Sequence, residues 1–279
     1  MEHDHILKTL EEHPELKSDL FIRGFLITDA PDIELKSHPF YGMWRVEQAG
    51  AFRFITHPLT GAHICKCNDG RVLFLMGHAY NPFTMQHEEQ AILQHIAEAG
   101  SAEEELSRIN DLTGVFVMGK IAPEGLTFLV DPSGMQSAFC GMINGHIYIT
   151  SHAQLVGDLL ALKMDSFVRE LTEYKWYGRV MGPYLPGDLS PFAELKRIVP
   201  SQLYTAADGN MRHKRFWPVL AHEMATDQST YDQVITQAAD ILRNGMTLIT
   251  RKWKSPWISL TGGIDSNTTF AAANGHYDK

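Results

Sequence analysis

Short apolar segments separated by turn residues fill residues 42–151, and this pattern constrains the fold more than any other feature of the sequence. Segments such as AFRFITH and RVLFLMGHA are bounded by AG, PLTG and NDG, which are turn signals. Asn144-Gly145 predicts a tight hairpin between the last two segments. Helical spacing occurs at about His87–Glu98, after Ser101 with Glu104 as its capping-box partner, and at His152–Leu162. We therefore expect an α+β domain in which helices flank two stacked antiparallel sheets.

The segment that precedes these strands has a mixed pattern. Apolar residues at helical spacing run from His5 to Leu20, but Pro14 interrupts them, which predicts two short helices or a helix and a turn. The next segment, Phe21–Thr28, reads FIRGFLIT and is predicted to be the first strand.

The composition changes after Lys163. A helical segment is followed by a stretch dense in Gly and Pro, which is typical of a connection between domains. A short hairpin is predicted to turn at Asp208-Gly209, and a long amphipathic helix capped by Ser229 or Thr230 then runs to about Ile249. We accordingly predict a first domain over residues 1–163, a linker over 164–220 and the start of a second domain over 221–279.

The last segment places a strand, a tight loop and a helix in succession. Trp257–Leu260 is predicted to be a strand and Ser266–Ala273 a helix, with the hexamer TGGIDS between them. Adjacent glycines let backbone N–H groups point inward without an intervening Cβ, and the helix start adds positive potential. The hydroxyls of the hexamer and the Asp265 carboxylate complete a cradle suited to pyrophosphate and magnesium. The hexamer lacks the Gly-Lys-Ser/Thr ending of a Walker loop.

Three segments of the chain resemble one known family. LTGGIDS resembles the pyrophosphate loop of N-type ATP pyrophosphatases, usually written SGG(L/I)DS, with Thr261 in place of the serine. Residues 110–160 resemble the strand-rich pattern of asparagine synthetases, and residues 191–218 resemble the linker of that family. The similarity to the asparagine synthetase family extends over most of the chain from about Gly42 onward.

This resemblance implies two domains and an ATP-dependent reaction. The first domain would be class II glutamine amidotransferase-like, with the αββα sandwich of Ntn hydrolases. The second would be the start of an α/β PP-loop domain, in which ATP activates a small-molecule or peptide carboxylate as an acyl-adenylate before an amine displaces AMP. Asp265 would then ligate Mg²⁺, and the residues that contact ATP would be Leu260, Thr261, Gly262, Gly263, Ile264, Asp265 and Ser266.

The chain departs from the family pattern at the glutaminase site. A working glutaminase of this class needs an exposed first-residue cysteine whose own α-amino group is the base, whereas this sequence starts with Met1 and Glu2. Asn81 resembles the oxyanion-hole asparagine, but the glutamine-anchoring segment has only a weak counterpart near His87-Glu88-Glu89. We therefore expect no glutaminase activity, as in β-lactam synthetase and the lasso-peptide cyclases, the branch that this chain resembles.

The sequence offers one strand and one helix after the linker, where a doubly wound domain needs several βαβ units. The family's later acidic motif and catalytic lysine have no counterpart. We therefore expect a truncated ligase that is inactive by itself. Two alternatives stay open: a non-catalytic binding module with a vestigial loop, and an argininosuccinate-type ligase, which the N-terminal strands disfavour.

Charge and composition exclude several other classes of protein. A net charge of -9 argues against non-specific nucleic-acid binding. The absence of a long apolar stretch and of a signal-like N-terminus predicts a cytoplasmic protein without a membrane span. Three cysteines and fourteen histidines at unsuitable spacings predict neither a disulfide framework nor a metal site beyond Asp265. A homodimer is compatible with these data.

Overall fold

The computed structural model describes residues 8–31, 33, 42–182, 184–217 and 227–278. Within these residues the chain forms two compact units. The first unit is Met1–Gly77 with Val115–Trp217, and the second is His78–Gly114 with Pro218–Lys279. The domain boundaries expected at residues 163 and 220 stay predictions.

The strands described here form two antiparallel sheets of six strands each. The strands are β1 (Phe25–Thr28), β2 (Arg45–Ala49), β3 (Phe52–Thr56), β4 (Ala62–Lys66), β5 (Val72–Tyr80), β6 (Thr113–Ala122), β7 (Gly125–Val130), β8 (Phe139–Ile143), β9 (His146–Thr150), β10 (Lys196–Arg197), β11 (Gln202–Ala207) and β12 (Asn210–Arg215). The first sheet has the order β10-β8-β9-β1-β3-β2, and the second has the order β12-β11-β7-β6-β5-β4. Six of the ten neighbouring pairs of described strands are also consecutive in sequence, and short turns join five of these six. The predicted α+β class with two antiparallel sheets is confirmed.

Helices connect and flank these strands. They are α1 (Glu89–Ala97), α2 (Ala102–Asn110), α3 (Ala153–Leu159), α4 (Ser166–Glu173), α5 (Tyr177–Val180), α6 (Gln228–Lys252) and α7 (Ile264–Ala272). Residues 8–12 are helical and Pro14–Ser18 is a separate 3₁₀ helix, so the predicted interruption at Pro14 is confirmed. The part of the predicted N-terminal helix that precedes residue 8 lies outside the described residues.

Strand β1 shows how the first unit is layered. Phe25 and Ile27 point into a core that both sheets share, while Leu26 points to the opposite face, towards the α3 residues Leu155 and Val156. All four residues of β1 are buried, because apolar layers cover both faces of this strand. The Phe54 and Phe74 rings join the two sheets, with their centroids 5.3 Å apart. The first unit therefore has a helix, sheet, sheet order.

The turn chemistry predicted from the sequence is largely confirmed. Asn144 and Gly145 have φ values of 53° and 82°, and Asp208 and Gly209 have values of 51° and 70°, as two-residue hairpins with two left-handed positions require. The Ser101 hydroxyl caps α2 by accepting a hydrogen bond from the Glu104 N–H at 3.2 Å. These three features depend on local sequence alone.

Three predicted elements are corrected. The strand expected over Phe21–Thr28 begins only at Phe25, because Phe21 and Arg23 have positive φ values that no strand accommodates. The α6 helix is capped by Asp227, which lies before the predicted Ser229 or Thr230. The strand expected at Trp257–Leu260 does not form, since no described residue pairs with it in a ladder.

The predicted linker region supplies strands to both sheets. Lys196–Arg197 pairs with β8 at the edge of the first sheet, and β11 and β12 extend the second sheet beyond β7. Among the described strands, β12 is the outer one at this end of the second sheet. Its last four side chains, which are Arg212, His213, Lys214 and Arg215, are all exposed.

Candidate functional site

The predicted pyrophosphate loop is an exposed turn that leads into α7. The Thr261 N–H donates a hydrogen bond to Ser266 Oγ at 3.0 Å, and the two hydroxyls of Thr261 and Ser266 are also 3.0 Å apart. The Gly263 N–H donates to Thr261 Oγ1 at 3.3 Å. The structure therefore brings Ser266, the last residue of the hexamer, into contact with Thr261, the first, and Gly263 also bonds to Thr261.

The two glycines of this loop have no role within the described structure that requires glycine. A Cβ added at Gly262 would meet no atom within 4 Å, and one at Gly263 would meet only Thr261 Oγ1 at 3.5 Å, an ordinary contact. Neither residue has a positive φ. By contrast, a Cβ at Gly77 would lie 2.1 Å from the Val115 carbonyl oxygen, and its φ is 111°. The described residues thus leave open the space beside Gly262 and Gly263.

The N-terminus of α7 has no side-chain cap, as is also the case for α1, α3 and α5. Its N-cap is Gly263, and no side chain accepts a hydrogen bond from its first N–H groups. Helices α2, α4 and α6 are each capped by a side chain, from Ser101, Asp165 and Asp227 respectively. The first N–H groups of a helix have no intrahelical partner, and they attract anions. The uncapped start of α7 therefore faces solvent with donors available.

The remaining predicted contacts are exposed side chains on either side of the turn. Leu260 is 54% exposed and Ile264 is 80% exposed, and Asp265 lies exposed in the first turn of α7. None of these three side chains takes part in the hydroxyl cluster of Thr261 and Ser266. The binding of a metal ion by the Asp265 carboxylate stays a prediction.

An apolar cavity adjoins the loop in the second unit. It has a volume of about 640 Å³ and lies among the last half of α6, the Pro256–Leu260 segment and α7. The rings of Phe270 and Tyr277 stack at 4.7 Å along it. His276 is held there by a contact of 3.1 Å between its Nε2 and Thr247 Oγ1. The loop thus borders a large apolar surface, although the Trp257 side chain beside it is 94% exposed.

The start of β1 in the first unit, at Gly24 and Phe25, has no cysteine nucleophile. The chain runs continuously into the strand, with the Gly24 N–H donating to the Phe21 carbonyl at 2.7 Å and the Phe25 N–H donating to Ser151 Oγ at 2.8 Å. A Cβ at Gly24 would lie 2.6 Å from the Phe21 oxygen and 2.9 Å from the Trp44 ring. No side chain larger than hydrogen fits at Gly24.

Asn81 has a structural function in the second unit. Its side-chain oxygen accepts hydrogen bonds from the N–H groups of Phe83 at 2.9 Å and Thr84 at 3.0 Å, and its own N–H donates to the Gln86 carbonyl at 2.8 Å. This side chain is 2% exposed. Asn81 therefore organises the turn that follows β5, and its descent from an oxyanion-hole asparagine stays a prediction.

A buried ionic cluster near this turn was not predicted from the sequence. Lys252 Nζ lies 2.5 Å from Glu89 Oε1, and His78 Nδ1 lies 3.4 Å from the same oxygen. The side chains of Glu89 and Lys252 are only 6% and 10% exposed. The ammonium group also donates to the His87 carbonyl. The cluster therefore attaches the last turn of α6 to the start of α1.

The surroundings of Glu89 favour its charged form. Burial by itself raises the pKa of this carboxyl, but hydrogen bonds from His78 and Lys252 outweigh burial and lower the pKa to about 2. Glu89 belongs to the His87-Glu88-Glu89 segment that resembled a glutamine-anchoring motif. In this chain the charged Glu89 carboxylate is already paired with Lys252. No local sequence pattern could have predicted this pair, because Glu89 and Lys252 are far apart in the sequence.

The described residues were also searched for a metal site and for a membrane-spanning helix. Within them, no three or more His, Cys, Asp or Glu side chains converge as they would to hold a metal ion. No helix in this part of the chain combines the length and the apolar character that crossing a bilayer requires.

Fold and site together define an α+β protein with two six-stranded antiparallel sheets and an exposed glycine and hydroxyl turn at a helix start. Comparison with protein-family models and with curated proteins finds no match. Among solved structures, the chain is similar to the allosteric regulatory enzyme of purine biosynthesis, with 12% identity, a TM-score of 0.43, and coverage of 73% of this chain and 44% of the other.

A second solved structure with similarity is glutamine phosphoribosylpyrophosphate amidotransferase from B. subtilis, complexed with ADP and GMP. Here the identity is 10%, the TM-score is 0.40, and the match covers 91% of this chain and 58% of the other. The chain therefore spans about half the length of each of these two structures.

Proposed function

We propose that this chain carries the nucleotide-binding loop of an asparagine synthetase-like, ATP-dependent ligase. In this proposal the ligase activates a small-molecule or peptide carboxylate as an acyl-adenylate and releases pyrophosphate. An amine then displaces AMP to form an amide. Ammonia from glutamine is not the source of that amine.

The observation that carries this proposal is the unexplained glycine pair. Glycine destabilises the folded chain through its backbone entropy, and it is retained where geometry or a ligand requires it. Neither packing nor backbone geometry requires Gly262 or Gly263 among the described residues. A phosphate group that approaches the backbone closely would require both, because a Cβ would block that approach.

The neighbouring groups have the chemistry that a triphosphate needs. The uncapped N–H groups at the start of α7 are hydrogen-bond donors for phosphate oxygens. The Ser266 hydroxyl lies 3.2 Å from the Thr261 and Gly263 carbonyls, to which it donates, and would exchange these acceptors for a phosphate oxygen. Asp265 would hold Mg²⁺, which proteins bind through one or two carboxylates together with substrate phosphates and water. The Mg²⁺ ion supplies charge neutralisation, and this chain's own groups position the phosphates.

The first unit supports a ligase that does not use glutamine. A glutaminase of this kind needs a free α-amino group beside its nucleophile. The backbone at the start of β1 is continuous, and both Gly24 and Phe25 have their N–H groups engaged. Cys65 and Cys140 are buried within strands, and Cys67 lies in the turn after β4. None of the three is placed as such a nucleophile.

The test is binding of Mg-ATP to the full chain, measured by isothermal titration calorimetry and by quenching of Trp257 emission. The Asp265→Ala variant should bind at least about tenfold more weakly, since a lost charged contact costs about 1.5–3 kcal/mol. Asp240→Ala is the matched control, because Asp240 is an exposed helical carboxylate that pairs with Arg243 at 2.8 Å. Asp240→Ala should bind as the wild type does.

Absence of binding at millimolar Mg-ATP would favour the alternative, a non-catalytic module with a vestigial loop. The unpaired Trp257–Leu260 segment is the observation that favours this alternative. Equal weakening in both aspartate variants would show a general charge effect and would remove Asp265 from the proposed site.

A further inference from the structure

Strand β12 directs alternate residues towards and away from its neighbour β11. The Phe216 N–H, just after β12, donates to the Ser201 carbonyl, just before β11, at 3.1 Å. In an antiparallel ladder every second residue makes such bonds, so Lys214 and Arg212 also direct their N–H and carbonyl groups towards β11. The residues between them direct these groups to the other side, where no described strand lies.

Three residues of β12 therefore have outward-facing backbone groups, and they are Met211, His213 and Arg215. Outside the ladder of β11 and β12, no hydrogen bond from a described residue reaches the N–H or the carbonyl of these three. Their alternation is the spacing at which an added strand forms its own bonds. A peptide in an extended conformation can thus continue the second sheet beyond β12.

The side chains of β12 select the charge of such a peptide. Arg212, Lys214 and Arg215 are cationic and exposed, with the exposed His213 among them. None of the ion pairs among the described residues includes these three cations. Strands β7 and β11 contain no acidic residue, and the hairpin of β11 and β12 has only Asp208, in its turn. The positive charge of β12 is therefore not neutralised by its own strand or by the next two.

Packing holds the outer strand in place before any partner arrives. The Tyr204 ring lies between the rings of Phe128 and His213, with centroid distances of 5.3 Å and 5.1 Å respectively. Met211 packs against the core between the two sheets. Because the strand is already formed, binding orders little of this chain, and the entropy cost of docking falls mainly on the peptide.

We propose that β12 is a docking edge for an acidic peptide segment, which adds to the second sheet as a further strand. The backbone groups of Met211, His213 and Arg215 bond to the added strand, and its carboxylates pair with the cations of β12. A nucleic acid fits this edge less well, because it cannot continue a peptide ladder and the net charge of -9 repels it. The edge is independent of the proposed ligase activity.

The experiment is a titration of the full chain into a fluorescein-labelled peptide of alternating glutamate and threonine at low salt, measured by fluorescence anisotropy. The wild type should bind this peptide. The Arg212→Gln/Lys214→Gln variant should bind about tenfold more weakly, since each exposed ion pair contributes up to about fivefold. The matched control is Lys163→Gln/Arg169→Gln, which removes the same charge from two exposed positions outside the sheets and should bind as the wild type does.

A change at the middle of the strand separates strand addition from attraction between charges alone. His213→Pro removes one outward N–H, keeps all three cations and breaks no backbone bond to β11, and proline is tolerated where an outer strand directs its N–H to solvent. It should bind about fivefold more weakly, which corresponds to one lost hydrogen bond. His213→Ala is the control, because it also loses the ring contact with Tyr204 but keeps the N–H.

A modified peptide repeats this test without any change in the protein. The same peptide with all its backbone nitrogens methylated keeps its charge but cannot form a ladder, and it should bind at least about tenfold more weakly. Far-UV circular dichroism identifies any variant that fails to fold. Undiminished binding of the methylated peptide, or equal affinities of the two double variants, would overturn the docking edge. Equal competition by an oligothymidylate of the same charge would show a general anion surface and would also overturn it.

Discussion

Only the structure shows which glycines of this chain are required by packing or by a positive φ and which, such as Gly42, Gly178 and Gly262, are required by neither. Gly77 and Gly119 are required by their surroundings, since added Cβ atoms would lie 2.1 Å from the Val115 oxygen and 2.4 Å from the Phe74 ring respectively. A Cβ at Gly262 would meet no described atom within 4 Å, and one at Gly263 would make only an ordinary contact with Thr261 Oγ1. The same residue type is therefore a packing requirement in the sheets and, in our proposal, a requirement of the ligand at the loop.

We predict opposite effects for alanine at these two kinds of glycine. Gly262→Ala should leave the free energy of unfolding unchanged, because no described atom meets the new methyl group, but should weaken Mg-ATP binding. Gly119→Ala should lower the free energy of unfolding by about 1–3 kcal/mol through overpacking. Urea denaturation and calorimetric titration measure the two quantities. Unchanged Mg-ATP binding in Gly262→Ala would contradict the proposed phosphate approach.

The Glu89 carboxylate should make stability depend on acid pH. Its pKa falls from 4.5 to about 2 on folding, because hydrogen bonds from His78 and Lys252 outweigh burial. A carboxyl whose pKa is lowered on folding stabilises the folded state above its unfolded pKa and ceases to do so as the pH falls through its folded pKa. The stabilisation should be complete above pH 4.5 and decline towards pH 2.

Glu89→Gln should accordingly lower the free energy of unfolding by on the order of 3 kcal/mol at neutral pH, and the difference from the wild type should shrink between pH 4.5 and pH 2. Urea denaturation at several pH values measures it. Glu88→Gln is the control, because the Glu88 side chain is 76% exposed. A difference that stays constant down to pH 2 would show that the Glu89 charge does not contribute.

At the level of helices and strands, local sequence predicts boundaries well where one residue controls them. The Ser101 cap and the Asn144-Gly145 turn are confirmed because a side chain or a backbone angle within the segment determines them. The α6 cap was misplaced by two or three residues, since Asp227, Ser229 and Thr230 are all good N-caps. The Trp257–Leu260 strand was wrong because a strand needs a partner, and hydropathy alone does not supply one.

The α2 cap is open to direct measurement. Ser101→Ala should lower the free energy of unfolding by about 1 kcal/mol, because the Glu104 N–H loses its hydrogen-bond acceptor. Ser107→Ala is the control, since Ser107 is an exposed residue within the same helix and alanine is the better helix former there. Thermal unfolding of both variants measures the effect. An equal response of the two variants would count against a capping role.

For the whole molecule, the sequence predicts the fold class but not the connections between distant segments. Two stacked antiparallel sheets follow from apolar segments and turns, whereas the pairing of β1 with both β3 and β9 depends on contacts across the whole first unit. The loop residues were predicted from a local motif, and their contact with a nucleotide stays a proposal. The pair of Glu89 and Lys252 could not be predicted from a local motif, because the two residues lie on separate helices that only folding brings together.

The whole chain should release no glutamate from glutamine. The backbone continues through Gly24 into β1, so no α-amino group is available there to act as a base. A coupled dehydrogenase assay measures glutamate release with and without Mg-ATP. Addition of a cysteine-reactive inhibitor is the control. Inhibitor-sensitive glutamate production would refute the inactive-glutaminase part of the proposal and would leave the nucleotide loop untouched.

The basic side chains of β12 also affect how copies of this protein meet. An outer strand has unpaired backbone groups that invite a second strand to add to it. Two copies that approached through this edge would bring Arg212, Lys214 and Arg215 of each chain against the same residues of the other, and the repulsion would oppose pairing. Strand β12 therefore protects the open end of the second sheet from fibre-like growth, and neutral β-branched residues at these positions would turn a soluble edge into a site of aggregation.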